Sequence, residues 1–249
     1  MNEHKFDRKG TIYSKARPGY PDEMFLRLTE SGLISKSTVA ADIGSGTGIF
    51  AEQLGGYVSK VFAVEPNDDM RKVAEGKFAA HGNMISIKGS AESTSLGDNS
   101  VDFITAAQAF HWFDREKFKK ECRRILKSDG KILLVWNDRD TTSDIIRENY
   151  EINRRFCPEF KGSSNGIDFS REAFVDFFDG EFEVTEFRND MIYDENAFIA
   201  RSLSSSYAPK ADDARYGEYV EALKRIFAKY SKNSAVPYPY VTRCYIGKA

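Results

Sequence analysis

The sequence predicts an α/β fold built on a doubly wound, mostly parallel sheet. Short apolar runs alternate with amphipathic stretches of helical period, the pattern of strands buried on both faces and covered by helices. The first run, Val39-Ala40-Ala41-Asp42-Ile43, passes through three alternating glycines, Gly44-Ser45-Gly46-Thr47-Gly48, into a helical pattern over 49–54. Strand, glycine turn, helix is the layout of a nucleotide-cofactor site at the carboxyl end of a parallel strand. A second run, over 60–64, ends in an acid, Glu65, 21 positions after Gly44, where a carboxylate can accept from both hydroxyls of a ribose.

Residues 1–20 read as irregular. A helix follows over 22–31, with Asp22 and Glu23 in its first turn and Gly32 suited to its C-terminal cap. After the second strand, Asn67 can cap a helix over 68–80, whose Met70, Val73, Ala74 and Phe78 are spaced to face the sheet. Strands are expected over 84–88 and 101–106. Asp114 caps a helix over 115–126, and a fifth strand spans 131–136.

From 137 the pattern changes. Helices are expected over 143–156 and 170–178 around a loop at 157–168, then a strand over 181–187. That strand alternates acid and apolar residues, as an edge strand with one exposed face does. Helices over 195–204 and 212–229 and a last strand over 240–246 complete the chain. The expected organisation is an N-terminal segment with a cofactor-binding core over 1–136. Helical insertions and the last two strands of the same sheet occupy 137–249, making one structural domain overall.

Composition narrows the partners. Thirty-six Lys plus Arg against 38 Asp plus Glu give a formal net charge of −2. This balance offers no electrostatic reason to expect nucleic acid or an anionic membrane surface. Cys122, Cys157 and Cys244 lie far apart, which suits a reducing compartment rather than a disulfide framework. With only His4, His81 and His111, no His/Cys cluster has zinc-site spacing, and no metal is expected. No signal core opens the chain, and no apolar run approaches the roughly 20 residues of a membrane span. A soluble cytoplasmic protein is the expectation.

The glycine spacing discriminates between cofactors. A dinucleotide fingerprint places its third glycine five positions after the first. Here that position is Ile49, and the stretch lacks the Gly-Lys-Ser/Thr ending of a phosphate-binding loop. The Asp42-x-Gly-x-Gly-x-Gly stretch resembles the first motif of the class I, Rossmann-like S-adenosylmethionine-dependent methyltransferases. Further points of resemblance are Glu65-Pro66, Ser90-Ala91-Glu92, Gln108 to Phe113, and Leu126 to Lys131, so the match covers about residues 10–140. The His111-Trp112-Phe113 piece and the Tyr13/Arg17 segment further resemble a small-molecule branch that includes trans-aconitate methyltransferase-like enzymes.

The resemblance implies a seven-stranded, mostly parallel sheet, five parallel strands plus a terminal antiparallel pair. The helical insertions of the C-terminal half form a lid over the carboxyl ends of the strands. It implies S-adenosylmethionine as cofactor, S-adenosylhomocysteine as product, and cofactor contacts at Asp42, Gly44, Ser45, Gly46, Thr47, Gly48, Glu65, Pro66, Ser90 and Gln108. Tyr13 and Arg17, with Tyr20 as a weaker match, would fold over the cofactor's amino-acid end; either Glu92 or the main chain of Ala91 would meet the adenine edge. Met70 either packs in the core or touches the cofactor.

His111 and Trp112 follow the fourth strand, whose end faces the same crevice as the first, and are the candidates for substrate contact. Methyl transfer from a sulfonium is an in-line displacement that mainly needs alignment and exclusion of water. A carboxylate acceptor needs no base. A hydroxyl or carbon acid does, and His111 is then the catalytic candidate. Inward-pointing arginines among Arg147, Arg154, Arg155 and Arg201 would favour a small acid. Two other readings stand beside this one: a non-catalytic S-adenosylmethionine-binding protein of the same fold, and a nucleotide-cofactor oxidoreductase, against which Ile49 argues.

Overall fold

The computed structural model describes residues 18–162, 166 and 168–249. Tyr13 and Arg17 lie outside them.

Seven strands form one sheet in the order β3-β2-β1-β4-β5-β9-β6. They are β1 (Val39–Ile43), β2 (Lys60–Val64), β3 (Met84–Ile87), β4 (Val101–Ala107), β5 (Leu126–Arg139), β6 (Phe182–Arg188) and β9 (Tyr240–Gly247). The pairings among β3, β2, β1, β4 and β5 are parallel, and β9 runs antiparallel to both of its neighbours. The alternating strand β6 is at the edge, as its one-sided polarity predicts. Five helices flank the sheet: α1 (Asp22–Glu30), α2 (Ile49–Gly55), α3 (Asp68–Phe78), α4 (Arg115–Ile125) and α6 (Glu172–Val175).

Period-two alternation divides the core in two. Ala41, Ile43, Ile104, Ala106, Ile132, Leu134 and Trp136 face α4 and α6 through Phe118, Cys122, Phe174 and Phe178. Their neighbours Ala40, Phe103, Leu133 and Val135 face α1, α2 and α3 through Met24, Phe25, Phe50, Leu54, Ala74 and Phe78. The chain winds outward from β1 to β3, then returns to start β4 on the other side of β1. That reversal leaves a crevice at the carboxyl ends of β1 and β4.

A third core joins α5 (Asp144–Phe156), α7 (Glu195–Leu203), α8 (Tyr216–Tyr230) and a small ribbon of β7 (Met191–Tyr193) and β8 (Val236–Tyr238). Ile146, Phe198, Tyr219, Leu223 and Tyr238 are buried there. The expected helix over 170–178 is shorter, and its aromatic residues pack into the sheet's core rather than into this layer. β5 is longer than predicted because Leu126 already pairs with Val101; the pairing then jumps to Lys131 opposite Phe103, and residues 127–130 form an irregularity.

No helix among the described residues is long and apolar enough to cross a membrane. No group of three or more His, Cys, Asp or Glu side chains among them could hold a metal ion. All three cysteines are free and buried.

Candidate functional site

A cavity of about 180 Å³ opens in the crevice between β1 and β4. The turn after β1 builds its floor. Gly44 and Ser45 both donate their main-chain N–H to the Val64 carbonyl, at 2.9 and 3.1 Å, which ties the turn to the end of β2. The three glycines have different tasks. A Cβ on Gly48 (φ +78°) would come within 2.7 Å of the Phe78 ring and 3.1 Å of Ala74, so this residue lets α2 pack on α3. A Cβ on Gly44 would strike Ala109 at 2.7 Å. At Gly46 (φ +56°) the nearest heavy atom would be Met70 Sδ at 3.6 Å, so this is where bare backbone borders open space. Gly44, Ser45, Gly46 and Thr47 line the cavity, whereas Gly48 does not.

Glu65 closes one side. Its Oε2 accepts from Gly46 N at 2.9 Å and its Oε1 from Asn67 N at 2.8 Å. These two main-chain donors fix the carboxylate. Asn67 caps α3 by accepting from Met70 N at 3.0 Å. Glu65, Pro66 and Met70 all line the cavity. On the third side, Ser90, Ala91 and Glu92 contribute to the wall, and Glu92 accepts from Asp114 N at 3.0 Å.

Asp42 lies behind the floor rather than on the wall. It is fully buried, with Oδ1 accepting from Thr105 Oγ1 at 2.7 Å and Oδ2 without a partner. Burial pushes its carboxyl up to about 7; the Thr105 hydrogen bond opposes this and the nearby Glu65 charge adds to it. Ser45 Oγ and Thr47 Oγ1 are also buried without a partner. Three orphaned polar atoms cluster beside the cavity, where a polar ligand can satisfy those that reach it.

Gln108, held at φ +55°, lines the wall and donates Nε2 to the Asn137 carbonyl at 2.9 Å. Trp112 and Phe113 line it as well. His111, between them and Phe110 on a short 3₁₀ turn, does not. Its Nδ1 accepts from Trp136 Nε1 at 3.4 Å, and its ring lies 4.8 Å from that of Trp112. That arrangement leaves the proton of a neutral ring on Nε2, so His111 faces the core with its acceptor nitrogen.

Tyr20 was anticipated as a weaker match, whereas Asn137 and Tyr240 escaped the sequence reading. Tyr20 lines the wall, packs on Phe50 at 4.8 Å, and exchanges two 2.8 Å hydrogen bonds with Gln53 through its main chain. Asn137 donates Nδ2 to the Gly19 carbonyl, while its Oδ1 accepts from Thr242 and Asn189. Tyr240 is the lining residue that also belongs to the third core. No residue of α5, α7 or α8 lines the cavity, so the expected lid reaches it through Tyr240 alone among the described residues. A polar residue ending an apolar strand is a signal for Asn137, as it was for Glu65.

Two features decide the class of the site. Its described lining carries two acids, Glu65 and Glu92, and no Lys, Arg or His. It sits at the switch point of a seven-stranded sheet whose penultimate strand is reversed. Residues 41–134 match the family model described as a methyltransferase domain. They resemble that domain, and the sheet they help to build has the Rossmann-like methyltransferase fold.

Relatives are similar over a little more than half of the chain. An uncharacterized methyltransferase-like protein of Schizosaccharomyces pombe is 37% identical over 145 residues, 58% of this chain and 56% of that protein. An uncharacterized methyltransferase of Mycobacterium tuberculosis is 36% identical over 140 residues, 56% of this chain and 55% of that protein. The chain thus spans about half the length of the curated relatives it matches. Among solved structures, the YcgJ protein of Bacillus subtilis superposes with a TM-score of 0.58 at 21% identity, over 92% of this chain and all of that one. It shares the fold of the methyltransferase domain.

Proposed function

We propose that this protein transfers a methyl group from S-adenosylmethionine to a small-molecule acceptor, a carboxylic acid or a hydroxyl compound. The observation that carries this reading is the Glu65 carboxylate, clamped by the main chain of Gly46 and Asn67 at the rim of the cavity. A ribose can be held there. Ala91 and Glu92 would meet the adenine edge, and the Gly44–Gly46 backbone with Ser45 and Thr47 would meet the amino-acid end. When bound, the cofactor supplies a methyl group already activated by the sulfonium charge.

The chain's own contribution is alignment and exclusion of water. Trp112, Phe113 and Tyr20 give the cavity apolar walls, and an aromatic face there can shield a sulfonium. An ionised carboxylate acceptor asks nothing more. A hydroxyl acceptor needs a base, and His111 serves only after its ring releases Trp136 and turns. The free, buried cysteines support a reducing compartment such as the cytoplasm.

The test is an assay of S-adenosylhomocysteine release across small acids and phenols, with calorimetry of S-adenosylhomocysteine binding alongside. Turnover with at least one acceptor is expected. A crystal soaked with the cofactor that showed it lodged away from residues 44–48 and Glu65 would overturn the reading.

A further inference from the structure

Arg139 and Arg201 are the two arginines buried by more than nine-tenths among the described residues, 7% and 3% exposed. Arg147, Arg154, Arg155 and Arg225, the other arginines on the helices of this layer, are exposed. Arg201, on α7, donates Nε to the Tyr240 hydroxyl at 2.7 Å and lies 4.5 Å over the Tyr238 ring. Arg139, at the end of β5, donates Nη2 to the Tyr207 hydroxyl at 2.9 Å and lies 5.5 Å over the Tyr150 ring. Its Nη1 is buried without a hydrogen-bond partner. No carboxylate among the described residues forms an ion pair with either guanidinium.

Two buried cations without a counter-ion are costly, and ring faces and phenol dipoles offset only part of that cost. The surplus positive field shows at Tyr207. Burial raises its phenol, yet Arg139 and Arg201 outweigh burial and hold it below its ordinary value.

The pair stands directly behind the cavity wall. Asn137 and Tyr240 line the cavity. Arg139 lies two residues beyond Asn137 on β5 and opposes Tyr240 in register across β9. Tyr240, whose hydroxyl is bound to Arg201, is therefore the partition between cavity and arginines.

We propose that Arg139 and Arg201 form an anion subsite for the methyl acceptor, receiving a carboxylate remote from the atom that is methylated. The subsite rests on the methyl-transfer reading and narrows it to an acceptor bearing an acid group besides its reacting atom. The carboxylate takes the place of the Tyr240 hydroxyl on Arg201 and satisfies Nη1 of Arg139. A guanidinium fork suits this better than a lysine, because it offers two parallel donors to a planar anion.

The experiment is calorimetry on the full chain saturated with S-adenosylhomocysteine. Glutarate is the carboxylate probe, glutaramide its uncharged counterpart, and inorganic phosphate the competing anion. Glutarate should bind at least tenfold more tightly than glutaramide. Arg139→Met and Arg201→Met should each weaken glutarate at least tenfold while S-adenosylhomocysteine affinity stays within twofold. Arg139→Lys and Arg201→Lys, which keep the charge and lose the fork, should fall between; they carry the test if a Met variant fails to fold. Equal binding of glutarate and glutaramide, or neither binding while S-adenosylhomocysteine does, overturns the subsite. Binding of phosphate to the exclusion of glutarate overturns its assignment to a carboxylate. Failure of S-adenosylhomocysteine to bind the wild-type chain instead removes the methyl-transfer reading on which the subsite stands.

Discussion

The Glu65 carboxylate accepts from the main chain of Gly46 and Asn67, one donor on each oxygen, and is the proposed holder of the ribose. Removing the side chain would therefore loosen the glycine turn as well as the ligand. Glu65→Gln is the sharper change, since it keeps one acceptor and loses the charge. S-adenosylhomocysteine affinity should fall at least about tenfold, or about 1.4 kcal/mol, in calorimetry, with a melting shift of only a few degrees. Asp42 makes a pH prediction. Its carboxyl sits at about 7 in the folded chain against an ordinary value near 4, so the folded state holds the extra proton between those limits. Its contribution to stability is complete below about pH 4 and is lost as pH rises through 7. Each pH unit in that window costs up to about 1.4 kcal/mol. Urea unfolding at pH 5 and pH 7.5 should show a smaller difference for Asp42→Asn than for wild type. Glu65 and Glu92 were legible because an acid at a strand end or in a short loop stands out from its neighbours. Tyr240 was not, because its place depends on a register with β5 across about a hundred residues of intervening chain.

The turn from β1 into α2 shows how one element divides stability from binding. Gly48→Ala would force a side chain into the Phe78 ring from a left-handed backbone, at a cost of about 1–3 kcal/mol read from the urea midpoint. Gly46→Ala meets only Met70 at 3.6 Å, so its main effect should be on S-adenosylhomocysteine affinity. The opposite ranking of the two variants would mean that the bare backbone at 46 does not face the ligand. On the other side of the cavity, Glu121 of α4 fixes the segment after Ser90–Glu92. Its Oε1 accepts from both Thr94 N and Oγ1, at 2.8 and 2.6 Å, and Arg124 grips the same carboxylate. Burial works against the ionised form, but Arg124 and Thr94 prevail and hold it down to about 2. Helices with a clear cap and period, such as α4, were readable in advance. The β7–β8 ribbon was not: three-residue strands with Pro237 in one of them carry no periodicity, and only the third core's packing defines them.

At the scale of the molecule, the fold class followed from strand-helix alternation, because the parallel strands of the sheet's middle are apolar on both faces and need helices over each. The arrangement of the C-terminal half did not, since its helices bury one another as readily as they cover a cleft. The chain leaves the sheet after β5 for α5, returns through α6 and β6, leaves again for β7, α7, α8 and β8, and returns as β9. Sheet and third core therefore share their connections, and β5 and β9 carry Arg139 and Tyr240 from one into the other. Such interleaving predicts a single cooperative unit rather than two that open independently. The three buried thiols report on it: Cys122 and Cys244 sit in the two sheet cores and Cys157 in the third. Thiol labelling under native conditions should be slowed at all three by S-adenosylhomocysteine, by up to about 100-fold at 100 times its dissociation constant, equivalent to about 2.7 kcal/mol. Cys157 belongs to the third core and does not line the cavity, so its protection reports shared unfolding. Unchanged labelling of Cys157 beside protected Cys122 and Cys244 would show that the third core opens alone.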